Sequence, residues 1–158
     1  MSDSFKDTNH FEASSAVQDE RLKKAKTISE FLKQLRQTEN QTLSQYLNAL
    51  LAGKEGKVTI SKIVDSTSLN KSYVYRVFAF DSKEKPSRET LLEISIAMGL
   101  TVDETNRILK LGKCSALRAK DERDAIIYYG LLHGQSYYDI NEALRDNKQP
   151  CLGDKHGK

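Results

Sequence analysis

Helix start and stop signals recur along almost the whole chain and constrain its fold more than any other feature. Ser, Thr, Asn and Asp residues stand just before stretches whose apolar residues recur every three or four positions. These starts are Thr27, Thr42, Thr59, Asn70, Ser87, Thr101, Asp121 and Ser136, and the glycines that end helices are Gly53, Gly99, Gly112 and Gly134. β-Branched residues occur singly inside these patterns and not in alternating runs between turns. The sequence therefore predicts an all-α fold.

The helical segments divide the chain into five parts. Residues 1–16 are polar and predict a mobile tail, and residues 17–40 predict an N-terminal helix with an apolar stripe. Residues 41–113 contain five helices, residues 114–148 a C-terminal helical hairpin, and residues 149–158 a polar tail. The pattern leaves open whether the helices after Thr27 and Thr42 are separate or one bent helix. It also leaves open whether the apolar faces of the N-terminal helix and the hairpin complete the core or form a dimer interface.

The composition excludes several classes of protein. No apolar run approaches the ~18 residues that a membrane span needs. The chain does not open with the basic and apolar stretches of a secretory signal. Two distant cysteines, Cys114 and Cys151, do not make a disulfide framework. We therefore expect a cytoplasmic protein that has no membrane partner.

A search for catalytic, metal-binding or cofactor-binding patterns finds none with the required spacing. The three histidines, His10, His133 and His156, have no partner at metal-ligand spacing, and no Cys-x-x-Cys pair or Gly-rich phosphate loop is present. His133 lies in the last turn of a helix, where its partial positive charge suits the helix dipole. We therefore expect no enzyme activity, no metal and no cofactor.

Positive charge is concentrated in one short segment. Residues 57–88 contain 7 basic and 3 acidic side chains, whereas the remaining chain has 18 basic and 19 acidic side chains. The segment is thus net +4 within a chain of net +3. This distribution is what a surface that faces a polyanion requires, and a chance fluctuation is the alternative.

The same segment contains two short helices joined by a tight turn. Thr59 caps the first helix, which has Ile63 and Val64 on its apolar side, and Asn70 caps the second. The second helix has Val74 and Val77 to pack against the first and is otherwise polar and basic. This arrangement is typical of a helix-turn-helix, in which the second helix can enter a DNA major groove about 12 Å wide.

The segment from Thr59 to Glu104 resembles the phage-repressor-like, Xre-type helix-turn-helix family. It reads TISKIVDSTSLNKSYVYRVFAFDSKEKPSRETLLEISIAMGLTVDE. The family marks that lie in register are the polar start at Thr59, the apolar Val64, Leu69 in the turn, Asn70 opening the recognition helix, and Pro86-Ser87 opening the fourth helix. The resemblance extends over Leu43 to Leu111 and implies five helices around one core. It implies a transcriptional regulator that binds double-stranded DNA, mostly as a homodimer.

The resemblance also implies roles for individual residues. Base-edge readers correspond to Lys71 and Ser72, just inside the recognition helix, and to Tyr75 and Arg76 one turn further on. Asn70, which opens this helix, is a further expected DNA-binding residue. Phosphate contacts correspond to Thr59, Ser61 and Lys62 in the preceding helix and to Lys83, Lys85 and Arg88 after the recognition helix. Arg76 is the residue that could contact a guanine through two hydrogen bonds, worth about 1–3 kcal/mol of discrimination.

Three features of the sequence depart from the family pattern. Ser68 stands where the family commonly has a turn glycine, and a residue with a side chain adopts that conformation only at some strain. The link before Pro86 is about two residues longer and contains Asp81 and Glu84. The recognition helix is rich in aromatic residues, among which we expect Tyr73 to pack, whereas Tyr75 either contacts DNA or packs on another helix.

The acidic pair in the longer link and the surplus of aromatic residues motivate a second hypothesis. The chain could retain the helix-turn-helix fold as a protein-interaction adaptor or antitoxin-like module, with an unidentified protein partner or effector. On either hypothesis the C-terminal hairpin, which has four tyrosines, is the preferred dimer or effector element. These are Tyr128, Tyr129, Tyr137 and Tyr138.

Overall fold

A computed structural model describes residues 27–39 and 41–153, and all of its regular elements within these ranges are helices. The predicted tail at residues 1–16, the first ten residues of the predicted N-terminal helix and the last five residues of the chain lie outside the described ranges. The helices are α1 (Ile28–Glu39), α2 (Leu43–Gly53), α3 (Ile60–Ser66), α4 (Lys71–Phe78), α5 (Arg88–Ala97), α6 (Val102–Leu111), α7 (Glu122–Leu132) and α8 (Tyr137–Asp146). The predicted all-α class is confirmed for the described residues.

The predicted start signals act as helix caps. Each cap residue has an extended backbone, and its side-chain oxygen accepts a hydrogen bond from the backbone N–H three residues on. This geometry is present at Thr59, Asn70, Ser87, Thr101, Asp121 and Ser136. At Thr101 the predicted capping box is complete, because the Glu104 side chain also accepts from the Thr101 N–H at 2.9 Å.

The chain divides into two units between Thr42 and Leu43, and α1 belongs to the first. Thr27 caps α1 as predicted, since its hydroxyl oxygen accepts from the Glu30 N–H at 3.1 Å. Helices α1 and α2 are separate elements, which answers the question that the sequence pattern left open. Of the predicted apolar stripe in α1, Ile28 and Leu32 are exposed, and the side chain of Leu35 lies outside the described part of the chain.

Helix α5 lies at the centre of the second unit. Its residues from Thr90 to Ile96 are all buried, and it packs against α3, α6 and α8. A helix that is buried on every side must satisfy its polar groups internally. Ser95 does so by donating its hydroxyl to the Leu91 carbonyl oxygen at 2.8 Å, and Glu93 accepts hydrogen bonds from Ser68 and Tyr137.

The C-terminal hairpin completes this core and is not a separate body. Ile127 in α7 and Ile140 and Leu144 in α8 are fully buried in the same apolar cluster as α5. The two helices of the hairpin approach closely at Gly130, where a Cβ atom would lie 2.4 Å from Cγ1 of Ile140. The predicted boundary between residues 113 and 114 therefore does not separate two compact units, because a single core extends across it.

Residues 149–153 are not the polar tail that the sequence predicts. Leu152 is buried, and its N–H and carbonyl oxygen both bond to the Asn141 side chain, at 2.7 and 3.3 Å. The Pro150 carbonyl oxygen accepts from Nε of Arg123 at 2.9 Å. One apolar side chain and these backbone hydrogen bonds are enough to fix the segment against α7 and α8.

No helix within residues 27–39 and 41–153 combines the length and the apolar content that crossing a membrane requires.

Candidate nucleic-acid interface

Helix α3 presents the first group of predicted DNA contacts. Thr59 is exposed at its N-cap, Ser61 is half-buried, and Lys62 is exposed. The ammonium group of Lys62 donates to the Lys57 carbonyl oxygen at 2.9 Å, on the surface of the protein. Ile63 is fully buried, so α3 is fixed by its apolar side while these polar side chains remain outside the core.

The connection between α3 and α4 is built without a left-handed residue. Thr67 ends α3 in an extended conformation, and its hydroxyl donates to the Ile63 carbonyl oxygen at 2.8 Å. Among the described residues, those with a side chain and a positive φ are Glu55, Lys113 and Lys148. The strain that we expected at Ser68 is therefore absent, because Ser68 has no positive φ.

The Ser68 side chain has a different role. Its hydroxyl donates to Oε1 of the buried Glu93 at 2.8 Å, which fastens the connection to the central helix α5. The neighbouring Leu69 is buried, as a turn residue that packs between two helices must be. The connection is thus held by a hydrogen bond from Ser68 and by the burial of Leu69.

Helix α4 has two different faces. Val74, Val77 and Phe78 are buried in the core, and Asn70 begins the helix by accepting from the Tyr73 N–H at 3.2 Å. The opposite face is open to solvent in the described part of the chain and contains Lys71, Ser72, Tyr75 and Arg76. The side chain of Tyr75 is 48% exposed, so no other helix of its own unit covers it. Tyr73 is half-buried against the core, as expected, and burial raises its pKa above the ordinary value.

Arg76 has an acidic neighbour that sequence reasoning did not pair with it. Its Nε donates to Oε1 of Glu84 at 2.9 Å, and its guanidinium carbon lies 5.6 Å from the ring centroid of Tyr73. The side chain of Arg76 nevertheless remains 58% exposed. An exposed pair of this kind contributes about 0–1 kcal/mol, so it does not prevent Arg76 from contacting a ligand.

The link after α4 adds two exposed cations and an exposed aromatic ring. Lys83 and Lys85 are both exposed, and Phe80 is 81% exposed. The backbone beneath Phe80 is nevertheless held, because Asn48 in α2 donates to the Phe78 carbonyl oxygen at 2.7 Å. Ser44 in α2 donates to the carbonyl oxygen of Phe80 itself at 3.4 Å. No signal in the sequence indicates these two contacts from α2.

Arg88, a predicted phosphate contact, forms hydrogen bonds within the protein. Its two terminal nitrogens bond to both carboxylate oxygens of Asp124, at 3.1 and 2.8 Å. It also donates to the carbonyl oxygens of Ser115 and Ala116, at 2.9 and 3.1 Å. Because these bonds use the guanidinium to dock α7 on α5, the geometry assigns Arg88 a structural role and removes it from the candidate interface.

The candidate interface therefore contains ten of the eleven predicted residues. It is defined as the exposed or half-exposed side chains of α3, α4 and the link, namely Thr59, Ser61, Lys62, Asn70, Lys71, Ser72, Tyr75, Arg76, Lys83 and Lys85. Five of them are cationic, and the acidic side chains nearest in sequence are Asp65, Asp81 and Glu84. Chemically the surface offers cations for phosphate and hydrogen-bonding side chains for base edges.

The described residues show no grouping suited to a metal ion. No set of three or more His, Cys, Asp or Glu side chains in residues 27–39 and 41–153 comes together in a way that could hold one. Cys114 and Cys151 are not joined in a disulfide, and both are half-buried.

The chain matches no protein-family model, no curated protein sequence and no solved structure.

Proposed function

We propose that this chain is a sequence-specific DNA-binding regulator of transcription that acts without catalysis, by occupying an operator. In this proposal α2 to α6 form a five-helix domain like that of the Xre-type family, and α4 is the recognition helix. The observation that carries the proposal is the division of α4 into a buried apolar face and an open polar face. The open face presents Lys71, Ser72, Tyr75 and Arg76.

The chemistry of these side chains fits base edges. Lysine and arginine donate to guanine O6 and N7, whereas serine and tyrosine hydroxyls can donate or accept. The core contacts of Val74 and Val77 hold the helix axis in place, so the backbone that carries the exposed side chains needs little reordering on binding. A rigid helix that carries short and long polar groups on one face suits major-groove reading.

Three exposed lysines, one before α4 in the chain and two after it, supply the phosphate contacts in this proposal. Lys62 comes from α3, and Lys83 and Lys85 come from the link. Contacts of this kind fix the register of a protein on DNA and supply affinity that depends on salt but not on sequence. The concentration of positive charge in residues 57–88 supports this assignment.

The proposal includes a homodimer, because a single module of this size binds DNA weakly. The apolar faces of the hairpin are used in the monomer core, so a dimer contact through the hairpin would involve its remaining exposed aromatic residues. These are Tyr129 in α7 and Tyr138 in α8. Half-sites one helical turn apart, about 34–36 Å, are the spacing that such a dimer would read.

The test is a selection of binding sites from genomic DNA with the purified full chain, followed by affinity measurements on the selected site. We expect one enriched sequence with paired half-sites. Arg76→Ala should relax the preference at one base pair, whereas Lys85→Ala should weaken binding to all sequences alike. If both variants weaken all sequences equally, the assignment of Arg76 to base reading is wrong.

A second candidate function is favoured by one specific observation, the exposure of Phe80. A phenylalanine that is 81% exposed and whose backbone is fixed by Ser44 is the kind of anchor that protein interfaces use. In this alternative the same surface binds a protein partner and not DNA. A partner of fixed stoichiometry whose footprint covers Lys71 to Arg76, together with no retention of DNA in the selection, would favour it over the first proposal.

A further inference from the structure

Arg76 is held on two sides by groups of its own chain. On one side its Nε donates to Oε1 of Glu84 at 2.9 Å, and on the other its guanidinium lies 5.6 Å from the ring centroid of Tyr73. The Tyr73 ring is itself packed against the core, so it does not move freely with the arginine. A long side chain on the exposed face of a helix would otherwise sample many rotamers.

Glu84 is also fixed in place. Its backbone N–H donates to the Ser82 hydroxyl oxygen at 3.3 Å, and the Ser82 N–H donates to the Ala79 carbonyl oxygen at 3.0 Å. Two residues later Pro86 is buried, which anchors the other end of the link. The Glu84 side chain is 34% exposed, whereas the Arg76 side chain is 58% exposed. Glu84 is therefore the more buried member of the pair, on a backbone that is held at both ends of the link.

We propose that Glu84 is a positioning residue for sequence reading, which holds Arg76 by Nε and directs its two terminal nitrogens toward a guanine. This inference rests on the proposed DNA-binding function. A two-bond contact to guanine O6 and N7 can be made with the terminal nitrogens alone, so Glu84 and guanine can bind the same guanidinium at once. The longer link that carries Glu84 then has a purpose, namely to bring a carboxylate behind the reading arginine.

An acid at this place has two effects of opposite sign. Its negative charge repels phosphate and lowers the affinity for every DNA sequence. Its hydrogen bond orders Arg76 before binding, which reduces the loss of side-chain entropy when the correct base is contacted. A positioning residue should therefore lower the affinity for all DNA sequences and increase the discrimination between the correct base and others. The two effects can be measured separately.

The experiment compares affinities for the selected site and for the same site with the guanine read by Arg76 replaced. The variants are Glu84→Ala, Glu84→Gln and, as a matched control, Asp81→Ala, an exposed acid in the same link. Glu84→Ala should bind both DNAs more tightly but lose about 2- to 10-fold in discrimination. Glu84→Gln keeps an acceptor for Nε, so it should gain affinity and retain most of the discrimination. Asp81→Ala should gain affinity and leave discrimination unchanged.

Three results would overturn the inference. If Glu84→Ala keeps the wild-type discrimination while Arg76→Ala abolishes it, Glu84 does not position Arg76, although the proposed function stands. If Arg76→Ala leaves the base preference intact, there is no base contact for Glu84 to support. If the wild-type chain binds no DNA, the proposed function fails and the inference fails with it. Thermal unfolding of each variant, which should match that of the wild type, verifies that the folded state is retained.

Discussion

The hydroxyl group of Tyr137 in α8 donates a 2.7 Å hydrogen bond to Oε1 of Glu93 in α5, 44 positions earlier in the chain. The same carboxylate oxygen accepts from the hydroxyl of Ser68, in the connection between α3 and α4. One buried carboxylate thus joins the C-terminal hairpin to the connection that precedes the proposed recognition helix. The Leu152 carbonyl oxygen lies 2.9 Å from the Tyr137 hydroxyl and extends this network to the end of the described chain.

Tyr137→Phe should destabilise the protein, because it leaves the buried Glu93 carboxylate without one of its donors. We expect a loss of about 1–3 kcal/mol in the free energy of unfolding, measured by urea denaturation. Tyr138→Phe is the matched control, because the Tyr138 side chain is 70% exposed and its substitution should change stability by less than about 0.5 kcal/mol. Equal stability of the two variants would contradict the assigned network.

The stability contribution of Tyr137 should disappear at high pH. Burial, and next the hydrogen bond to Glu93, raise the pKa of Tyr137 above its ordinary value of 10.0. Because the folded state favours the protonated hydroxyl, this contribution is complete below about pH 10 and declines as the pH rises further. The difference in unfolding free energy between wild type and Tyr137→Phe should therefore shrink as the pH is raised from about 10 to about 12. A difference that stays constant over this range would show that the hydroxyl does not titrate differently in the folded state.

Gly153→Ala should destabilise the protein more than Gly56→Ala. Both glycines have a positive φ, +87° and +80°, so both substitutions introduce backbone strain of about 1 kcal/mol or more. At Gly153 the new Cβ atom would also lie 2.4 Å from Oγ of Ser68 and 2.7 Å from the Tyr137 hydroxyl, whereas Gly56 has open space around it. The excess loss at Gly153, measured by thermal unfolding, reports how tightly residues 149–153 pack. Similar losses at both positions would mean that the C-terminal segment shifts to accommodate the new Cβ atom and is not tightly packed.

Arg88→Ala and Lys85→Ala should separate structure from DNA binding. Arg88→Ala leaves the buried Asp124 without its bidentate partner and should cost about 2–4 kcal/mol of stability. When the measurement is made under conditions where the Arg88→Ala variant is folded, the salt dependence of its DNA affinity should equal that of the wild type. Lys85→Ala should leave stability within about 0.5 kcal/mol and reduce the slope of log affinity against log salt by about 1. A reduced slope for Arg88→Ala would restore it to the interface.

Helix positions were predictable from sequence because their signals are local. The cap at Asn70 and the capping box from Thr101 to Glu104 depend on residues three positions apart, and the structure has both. The exposed face of α4 follows from the same periodicity, once Val74 and Val77 are assigned to the core. These features need no knowledge of what packs against them.

What could not be predicted depends on long-range contacts. The resemblance predicts Arg88 as a phosphate contact, whereas in the structure Arg88 bonds to Asp124, 36 positions away, and no spacing rule connects the two residues. The packing of Leu152 and Gly153 was missed for the same reason, since a single leucine in a polar stretch has no periodicity. A signal for the Glu93 network was present, however. An acidic residue in the middle of the apolar run of α5 must either be exposed or have buried partners.

The dependence of affinity on salt, measured for the wild-type chain on its selected DNA site, tests the proposed function most directly. We predict tight binding near 50 mM salt and a log–log slope of about −3 per protomer, because three exposed lysines contact phosphates. These lysines are Lys62, Lys83 and Lys85. Failure to bind any genomic fragment at about 50 mM salt, or an affinity independent of salt, would contradict the account.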